Sequence, residues 1–156
     1  MRELEYKNLD FSYADGLLNI WADADAVQYT NMQLPCTIDD VKKRIEAFKS
    51  FDVFAVMQNE EVIGVIGCPP IRRENLQFGL FYQFRKSSWG QGNATIAAKW
   101  LLDYMKRKYK TVTLFADVIV DNAASEKILQ KLGFEQFSQE WIQRDGVSLT
   151  VHNYRL

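Results

Sequence analysis

The sequence has few of the side chains that define several common classes of protein. Its 156 residues include two cysteines, Cys36 and Cys68, and one histidine, His152. Two cysteines do not make a disulfide framework, and so few soft ligands predict no zinc site or other metal centre. We therefore expect a reducing, cytoplasmic environment and a chemistry that uses no metal.

Long apolar runs and an excess of one charge are also missing. No stretch approaches the ~20 apolar residues that cross a bilayer, and the N-terminus, MRELEYKNLDF, lacks the apolar segment of a signal peptide. The 19 basic and 20 acidic residues leave a formal net charge of −1. Nucleic acid and anionic lipid call for a strongly basic face. We expect neither a nucleic-acid nor a membrane partner.

The composition that is present favours one folded domain over residues 1–156. Hydrophobic residues make up 47% of the chain, charged residues 25% and aromatic residues 13%, which is enough apolar material for a sizeable core. No internal repeat or Pro/Gly/Ser-rich linker divides the sequence. The hydrophobic patterns instead succeed one another with short breaks.

The first third of the chain predicts one strand and two helices. An edge strand over residues 2–9 precedes a helix over residues 12–24, whose apolar residues have helical spacing. A second helix begins at Thr37, because Thr37 and Asp40 have the form of a capping box.

The remaining two thirds predict mostly strands, with two further helices. The elements are a hairpin over 52–68, a strand over 76–85 with both faces covered, a long helix from Gly92 to about 108, a strand over 111–118, a short helix over 123–132 closed by Gly133, and two strands around Asp145 and Gly146. This order predicts a mixed α/β sheet covered by helices.

The segment SSWGQGNAT joins the predicted strand 76–85 to the long helix. Glycines at such a turn let backbone N–H groups converge on an anion, and the helix N-terminus adds partial positive charge. The pattern predicts a phosphate cradle formed by Gly90, Gln91, Gly92, Asn93 and Ala94; the alternative is a turn without a ligand. It lacks the P-loop lysine and the third glycine of the dinucleotide fingerprint, which leaves a diphosphate such as that of coenzyme A.

This loop resembles the pyrophosphate loop of the GNAT acetyltransferases, [Q/R]-x-x-G-x-[G/A], at residues 89–94. Trp89 replaces the opening Gln or Arg, as is common in the ribosomal-protein N-terminal acetyltransferase branch. A second block, residues 116–135, is similar to that branch in its N-x-x-S, at Asn122 and Ser125, and its later L-G-F. The resemblance covers nearly the whole chain.

The resemblance implies a GNAT fold and an acetyl-CoA-dependent N-acetyltransferase. The central sheet would be largely antiparallel, with one splayed parallel pair whose gap takes the pantetheine arm. The acetyl group would pass directly to a primary amine, on a protein N-terminus or a small molecule. The enzyme would be a monomer or a homodimer. The alternative is a module that binds acyl-CoA as a sensor without turnover.

The resemblance also implies three groups of site residues. Coenzyme contacts would come from Tyr82, Gln83, Phe84, Trp89, Gly90, Gln91, Gly92, Asn93, Ala94, Thr95 and Asn122. Ser125 would give a proton to the leaving thiolate, and Asn122 would position the pantetheine. The acceptor would lie near Trp21, Tyr29, Met32 and Trp141.

Structural alternatives stay open for several of these residues. Asn122 is also a good N-cap for the helix that follows, and Ser125 suits a first helical turn. Tyr82 and Phe84 could be plain core residues. Arg85, Lys86, Lys127 and Lys131 are either phosphate contacts or surface charges.

The general base is left open by the sequence. Gly79 stands where some GNAT relatives carry a carboxylate. Asp117, Glu140, Glu74 and a chain of water molecules all remain alternatives. His152 lies in the last predicted strand, where a structural imidazole is the favoured interpretation.

Overall fold

The computed structural model describes residues 3–30 and 32–156, apart from the side chain of Arg73. The strands in these residues are β1 Glu5–Asn8, β2 Asp52–Gln58, β3 Glu61–Cys68, β4 Pro70–Arg72, β5 Gln77–Gly79, β6 Phe81–Phe84, β7 Thr113–Ile119, β8 Glu135–Arg144 and β9 Val147–Arg155. The α-helices are α1 Ala14–Trp21, α2 Ala24–Val27, α3 Ile38–Phe48, α4 Asn93–Tyr109 and α5 Ala123–Lys131. None of the described helices has the length and apolar character to span a membrane.

Local sequence signals set several of these boundaries as predicted. The capping box at α3 is confirmed: the Thr37 side chain accepts from the Asp40 N–H at 3.2 Å, and the Asp40 carboxylate accepts from the Thr37 N–H at 2.9 Å. The β8–β9 turn is also confirmed, since Asp145 and Gly146 have φ of 51° and 77°. Positive φ at both central residues gives the turn the twist that a two-residue hairpin needs.

The observed elements differ from the predicted ones in three places. The helix over 12–24 is interrupted, because Asp23 is extended and caps a separate α2 by accepting from the Asp25 N–H at 2.9 Å. The short strand β4 was not predicted; it has three residues and begins with a proline. The predicted strand start at residue 2 lies outside the described residues.

The third difference is the division of the strand 76–85 at Leu80. β5 belongs to a sheet of order β4-β5-β7-β9-β8, and β6 belongs to a sheet of order β1-β2-β3-β6. β5 runs parallel to β7, and the Leu80 N–H still donates to the Phe115 carbonyl at 2.7 Å. Beyond that bond β6 pairs with β3 and β7 pairs with β9. The expected fold, a largely antiparallel sheet with a splayed parallel pair, is confirmed.

Helices cover the sheets from two sides and form two apolar clusters. α4 and α5 pack on one face with Phe78, Leu80 and Phe84. α1 and α3 pack on the opposite face of β2 and β3, and Phe81 packs against that second cluster. The predicted alternation of the segment 76–85 between two covered faces is therefore confirmed. Each side chain of β6 points either to α4 and α5 or to α1 and α3.

A buried carboxylate fastens the C-terminal end of α4 to the start of β2. Asp52 is 6% exposed and accepts from Lys108 Nζ at 2.6 Å, the Tyr109 hydroxyl at 2.5 Å and the Tyr104 hydroxyl at 3.1 Å. The side-chain hydrogen bond from Lys108 to Asp52 raises the pKa of that lysine. Three donors satisfy a charge that would be costly to bury alone.

We expect Asp52→Asn to lower the free energy of unfolding by about 1–2 kcal/mol, because it removes a charge-assisted acceptor from partly exposed Lys108 and two tyrosines. Chemical denaturation followed by circular dichroism measures the change. Asp103→Asn, on an exposed position of α4, is the matched control and should stay within about 0.5 kcal/mol of wild type. Equal stability of the two variants would contradict a stabilising role for the Asp52 cluster.

Candidate functional site

A gap separates β6 from β7, because the two strands belong to different sheets. On one side of the gap, β6 uses a single edge to pair with β3, in a register that joins Gly64 to Phe84 and Ile66 to Tyr82. Within the part of the chain that the structure describes, no strand pairs with its other edge. An unpaired strand edge presents backbone N–H and C=O groups that an extended ligand can bind.

The predicted glycine cradle lies where β6 leads into α4. Gly90 and Gly92 adopt left-handed conformations, with φ of 74° and 79°, which glycine adopts without strain. A Cβ built on either glycine meets no atom within 4 Å, so the space above the turn is open. The first hydrogen bond within α4 joins the Ile96 N–H to the Gly92 carbonyl at 3.1 Å. The backbone N–H groups before Ile96 therefore have no acceptor within the helix.

Side-chain hydrogen bonds hold this loop in place. The Trp89 indole N–H donates to the Phe84 carbonyl at 2.8 Å, which ties the loop to the end of β6. Asn93, which is 6% exposed, donates from its amide to the Ser88 carbonyl at 3.2 Å. Gln91 and the half-buried Ala94 and Thr95 complete the predicted coenzyme contacts around the turn.

Basic side chains beside the loop already have acidic partners. The Arg85 guanidinium nitrogen Nη2 lies 3.0 Å from Glu61 Oε2, and Lys86 Nζ lies 2.6 Å from Oδ2 of Asp25 in α2. Lys86 has a raised pKa, through its hydrogen bond to Asp25. The backbone of the loop and the N-terminus of α4 supply further positive potential at this turn.

The first turn of α5 faces β6 across the gap. Asn122 caps α5, since its side-chain oxygen accepts from the Ser125 N–H at 3.3 Å. The Ser125 hydroxyl lies 2.6 Å from the Tyr82 hydroxyl of β6. Burial raises the pKa of Tyr82, and its hydrogen bond to Ser125 opposes part of that increase. The structure thus brings Tyr82 of β6 to the N-x-x-S segment of Asn122 and Ser125, 43 positions along the chain from Tyr82 to Ser125.

Of the four predicted acceptor contacts, Trp21 lies in the core. Its side chain is completely buried, and its indole N–H donates to the buried Gln83 side chain at 2.6 Å. Trp21 therefore presents no surface to an acceptor, and its packing instead fixes the α1-facing side of β6. The predicted coenzyme contact Gln83 uses its side chain for Trp21, and its backbone faces Val65 of β3, in register with the bond from the Arg85 N–H to the Ile63 carbonyl.

The other three predicted acceptor contacts lie on separate elements. Tyr29 is 36% exposed and follows α2, whereas Met32 is partly buried against the α1–α3 cluster. Trp141 is 70% exposed on β8, the edge strand of its sheet. The register pairs Trp141 with Thr150, which shares the α5 side of the sheet with His152. The structure does not gather these residues on one face.

Two of the candidate general bases, Asp117 and Glu140, share one hydrogen-bond donor. Asn153 donates to the Asp117 carboxylate at 2.7 Å and to the Glu140 carboxylate at 3.3 Å. A third candidate base, Glu74, is exposed in a short 3-10 helix. At Gly79, where some GNAT relatives carry a carboxylate, an added Cβ would lie 3.5 Å from the Ile71 side chain.

His152 contacts a carboxylate of α5. Its Nδ1 is hydrogen-bonded to Glu126, which also accepts from the Tyr154 hydroxyl at 2.8 Å. The imidazole therefore links β9 to α5, the structural role that its position in the last strand favoured. Among the described residues, no group of three His, Cys, Asp or Glu side chains could hold a metal ion.

Comparison with known protein families decides the family of this chain. The model of the acetyltransferase (GNAT) domain matches residues 4–135. The chain belongs to the GNAT acetyltransferase family. It is therefore an acyltransferase, and the splayed strands, the glycine turn and the α5 turn are the parts of a GNAT domain.

Similar proteins agree with this assignment. An uncharacterized N-acetyltransferase p20 from Bacillus licheniformis is 25% identical over 141 residues, which are 85% of this chain and 79% of that protein. RimL, a ribosomal L7/L12 alpha-N-protein acetyltransferase solved with coenzyme A, has a TM-score of 0.88 at 18% identity and covers 98% and 93% of the two chains. The microcin C7 self-immunity acetyltransferase MccE, solved with acetyl-CoA and AMP, has a TM-score of 0.85 at 18% identity, with 99% and 92% covered.

Two features of this GNAT site were missed in the sequence. The first is the side chain of Tyr82: the sequence predicts a backbone contact or core packing, whereas the Tyr82 hydroxyl contacts Ser125. The second is the buried pair of Trp21 and Gln83. A polar Gln among the aromatic residues of a strand covered on both faces was the available signal, because a buried amide requires a partner.

We expect Asn122→Ala to lower the free energy of unfolding by about 1 kcal/mol, because it removes the side-chain acceptor at the start of α5. Asn122→Asp keeps an acceptor at the same place and should retain most of the stability. Thermal and urea denaturation of the two variants measure the difference. An Ala variant as stable as wild type would show that the cap contributes nothing.

Proposed function

We propose that this GNAT domain transfers an acetyl group from acetyl-CoA directly to a primary amine. The observation that carries the proposal is the gap between β6 and β7, which has the glycine turn at the end of one strand and Ser125 in the helix that follows the other. A ligand with a diphosphate at one end and an extended arm at the other matches the backbone groups along that path.

The residues present fit coenzyme A. The backbone of Gly90–Asn93 would hold the diphosphate, because the left-handed glycines leave the turn open and α4 directs its first N–H groups there. The free edge of β6 would bind the amides of the pantetheine arm through the backbone of Tyr82 and the N–H of Phe84, because the Phe84 carbonyl accepts from Trp89 and the backbone of Gln83 faces Val65 of β3. RimL and MccE, solved with coenzyme A and acetyl-CoA, have the same fold, which supports this proposal.

Direct acetyl transfer needs a neutral amine, donors for the charge that develops on the carbonyl oxygen, and a proton for the departing sulfur. Ser125 would supply that proton from the first turn of α5. Asn122 would hold this turn in place through its cap to the Ser125 N–H and contact the pantetheine arm. These roles require the open gap to admit the thioester beside α5.

The acceptor is a primary amine on a protein N-terminus or a small molecule. RimL is named for a ribosomal protein N-terminus, which supports the first class. We propose Tyr29 and Met32, which follow α2 in the chain, as acceptor contacts, and we leave out Trp21, which is buried, and Trp141, which lies on the α5 side of the other sheet. We expect a cytoplasmic monomer or homodimer. A sensor that binds acyl-CoA without turnover is the second candidate, favoured by the absence of a carboxylate at Gly79.

Calorimetric titration with acetyl-CoA, desulfo-coenzyme A and ATP tests the proposal, followed by a panel of amines and N-terminal peptides. Binding of acetyl-CoA and desulfo-coenzyme A without binding of ATP, together with release of coenzyme A in the presence of an amine, is the expected result. Binding without turnover across the whole panel would support the sensor. A folded protein that binds no coenzyme would overturn both functions.

We expect Gly92→Ala to weaken coenzyme binding at least tenfold, because a side chain at φ of 79° strains the backbone that forms the cradle. Gly146→Ala is the matched control: its φ is 77° and its Cβ also has open space, but it lies in the β8–β9 turn. Calorimetric titration should show wild-type affinity for this control. Equal losses of affinity in the two variants would contradict the cradle.

We expect Ser125→Ala to lower kcat by about tenfold or more and to change the KM for acetyl-CoA little, because the proton is needed only as the sulfur departs. Steady-state kinetics at saturating amine measure both constants. Circular dichroism checks that α5 is intact. Equal changes in kcat and KM, or none, would assign Ser125 to the helix turn alone.

A further inference from the structure

The hydrogen bond between the Tyr82 and Ser125 hydroxyls, at 2.6 Å, joins the two sides of the open gap. Tyr82 belongs to β6, and Ser125 belongs to the helix that follows β7. These strands share no backbone ladder beyond the bond from Leu80 to Phe115. The contact therefore lies where the proposed function requires a thioester, and it is made by side chains from both walls.

The rest of the α5 turn leaves the Ser125 hydroxyl available to this contact. Its backbone N–H is held by the Asn122 cap. Glu126, the next residue along α5, faces β9, where it binds His152 and Tyr154. A serine hydroxyl has one proton to donate and lone pairs that accept. Ser125 can therefore accept from Tyr82 and still direct its own proton elsewhere.

We propose that Tyr82 is a positioning residue for acetyl transfer, which donates its hydroxyl proton to Ser125 Oγ and so directs the Ser125 proton at the departing sulfur. This inference rests on the proposed function. It adds a second hydroxyl, from a different element, to the single proton donor suggested by the N-x-x-S pattern.

Each proton that moves during the transfer has a donor and an acceptor. The C–S bond breaks, and its electron pair goes to the sulfur, which takes the Ser125 proton. Ser125 Oγ takes the Tyr82 proton in the same movement. The amine loses one proton to the solvent when the new C–N bond forms. The solvent then returns one proton to Tyr82. No oxidant, metal or further reactant is needed.

The surroundings of Tyr82 keep its hydroxyl in the form that donates. Tyr82 projects toward α4 and α5 and packs against the core cluster on that side. Burial is the larger influence on its pKa and raises it above the ordinary value of a tyrosine. Tyr82 therefore stays protonated at neutral and mildly alkaline pH, which a donor to Ser125 requires.

The kinetic test compares Tyr82→Phe, Ser125→Ala and the double variant with acetyl-CoA. We expect Tyr82→Phe to lower kcat by about tenfold with the KM for acetyl-CoA within about twofold. The double variant should be no slower than Ser125→Ala, because the two hydroxyls act as a unit. Tyr6→Phe is the matched control, since Tyr6 lies half-buried on β1, stacked on Trp100, and should keep wild-type kcat.

A change of the leaving group distinguishes a loss of proton delivery from a structural effect of the Tyr82→Phe substitution. A simple acetyl thioester of an acidic aromatic thiol needs little protonation as it departs. The loss caused by Tyr82→Phe should therefore shrink to about twofold with this donor. A loss of the same size with both donors, or losses that add in the double variant, would overturn the inference.

A measurement on the free protein tests the contact itself. We would place 3-fluorotyrosine at position 82 and follow its fluorine resonance through a pH titration. Once Tyr82 loses its proton, the Ser125 hydroxyl can turn and donate to the phenolate, which lowers the pKa of Tyr82. Ser125→Ala should therefore move the titration midpoint to higher pH. Coenzyme A should shift the resonance in the wild-type protein. An unchanged midpoint in Ser125→Ala would overturn the inference.

The outcomes also separate this inference from the proposed function. A wild-type protein without coenzyme binding or turnover contradicts the proposed function. A wild-type enzyme that turns over while Tyr82→Phe keeps its full kcat contradicts the inference alone. Circular dichroism and thermal melting confirm that each variant is folded before its kinetics are compared.

Discussion

The site depends on one backbone hydrogen bond, from the Leu80 N–H to the Phe115 carbonyl. Up to this bond the β5 segment runs parallel to β7, and after it the same chain turns to β3 as β6. Since β6 has one edge occupied by β3, its other edge is free at the point where β7 departs. The gap is therefore a consequence of one segment serving two sheets.

The helices and strands around the gap contribute their ends to the site and their central residues to the core. α4 is fastened at its C-terminal end by the Asp52 cluster and at its N-terminal end opens onto the glycine turn. The Trp89 indole ties the same turn to the end of β6. Rigid elements with exposed termini hold backbone donors in a fixed direction, which an anion site requires.

Opposite faces of β6 have different tasks. Gln83 is bonded to Trp21 and belongs to the packing with α1, whereas Tyr82 points to α5 and contacts Ser125. The alternation of a strand thus assigns one residue to stability and its neighbour to the site. This also explains why a Trp near the N-terminus, which looked like an acceptor contact, is instead part of the core.

Local chemistry alone determined much of this protein. The capping box at Thr37, the Asp145 and Gly146 turn, the glycine loop and the order of helices and strands follow from short-range rules of backbone conformation and hydrophobic spacing. The resemblance of residues 89–94 and 116–135 to known motifs indicated the GNAT family. Only the tertiary structure decided that the strand 76–85 divides at Leu80, that Trp21 is buried on Gln83 and that Tyr82 meets Ser125. Those contacts join residues 35 to 62 positions apart, and a pairing over such distances depends on how sheets and helices pack, which no local pattern encodes.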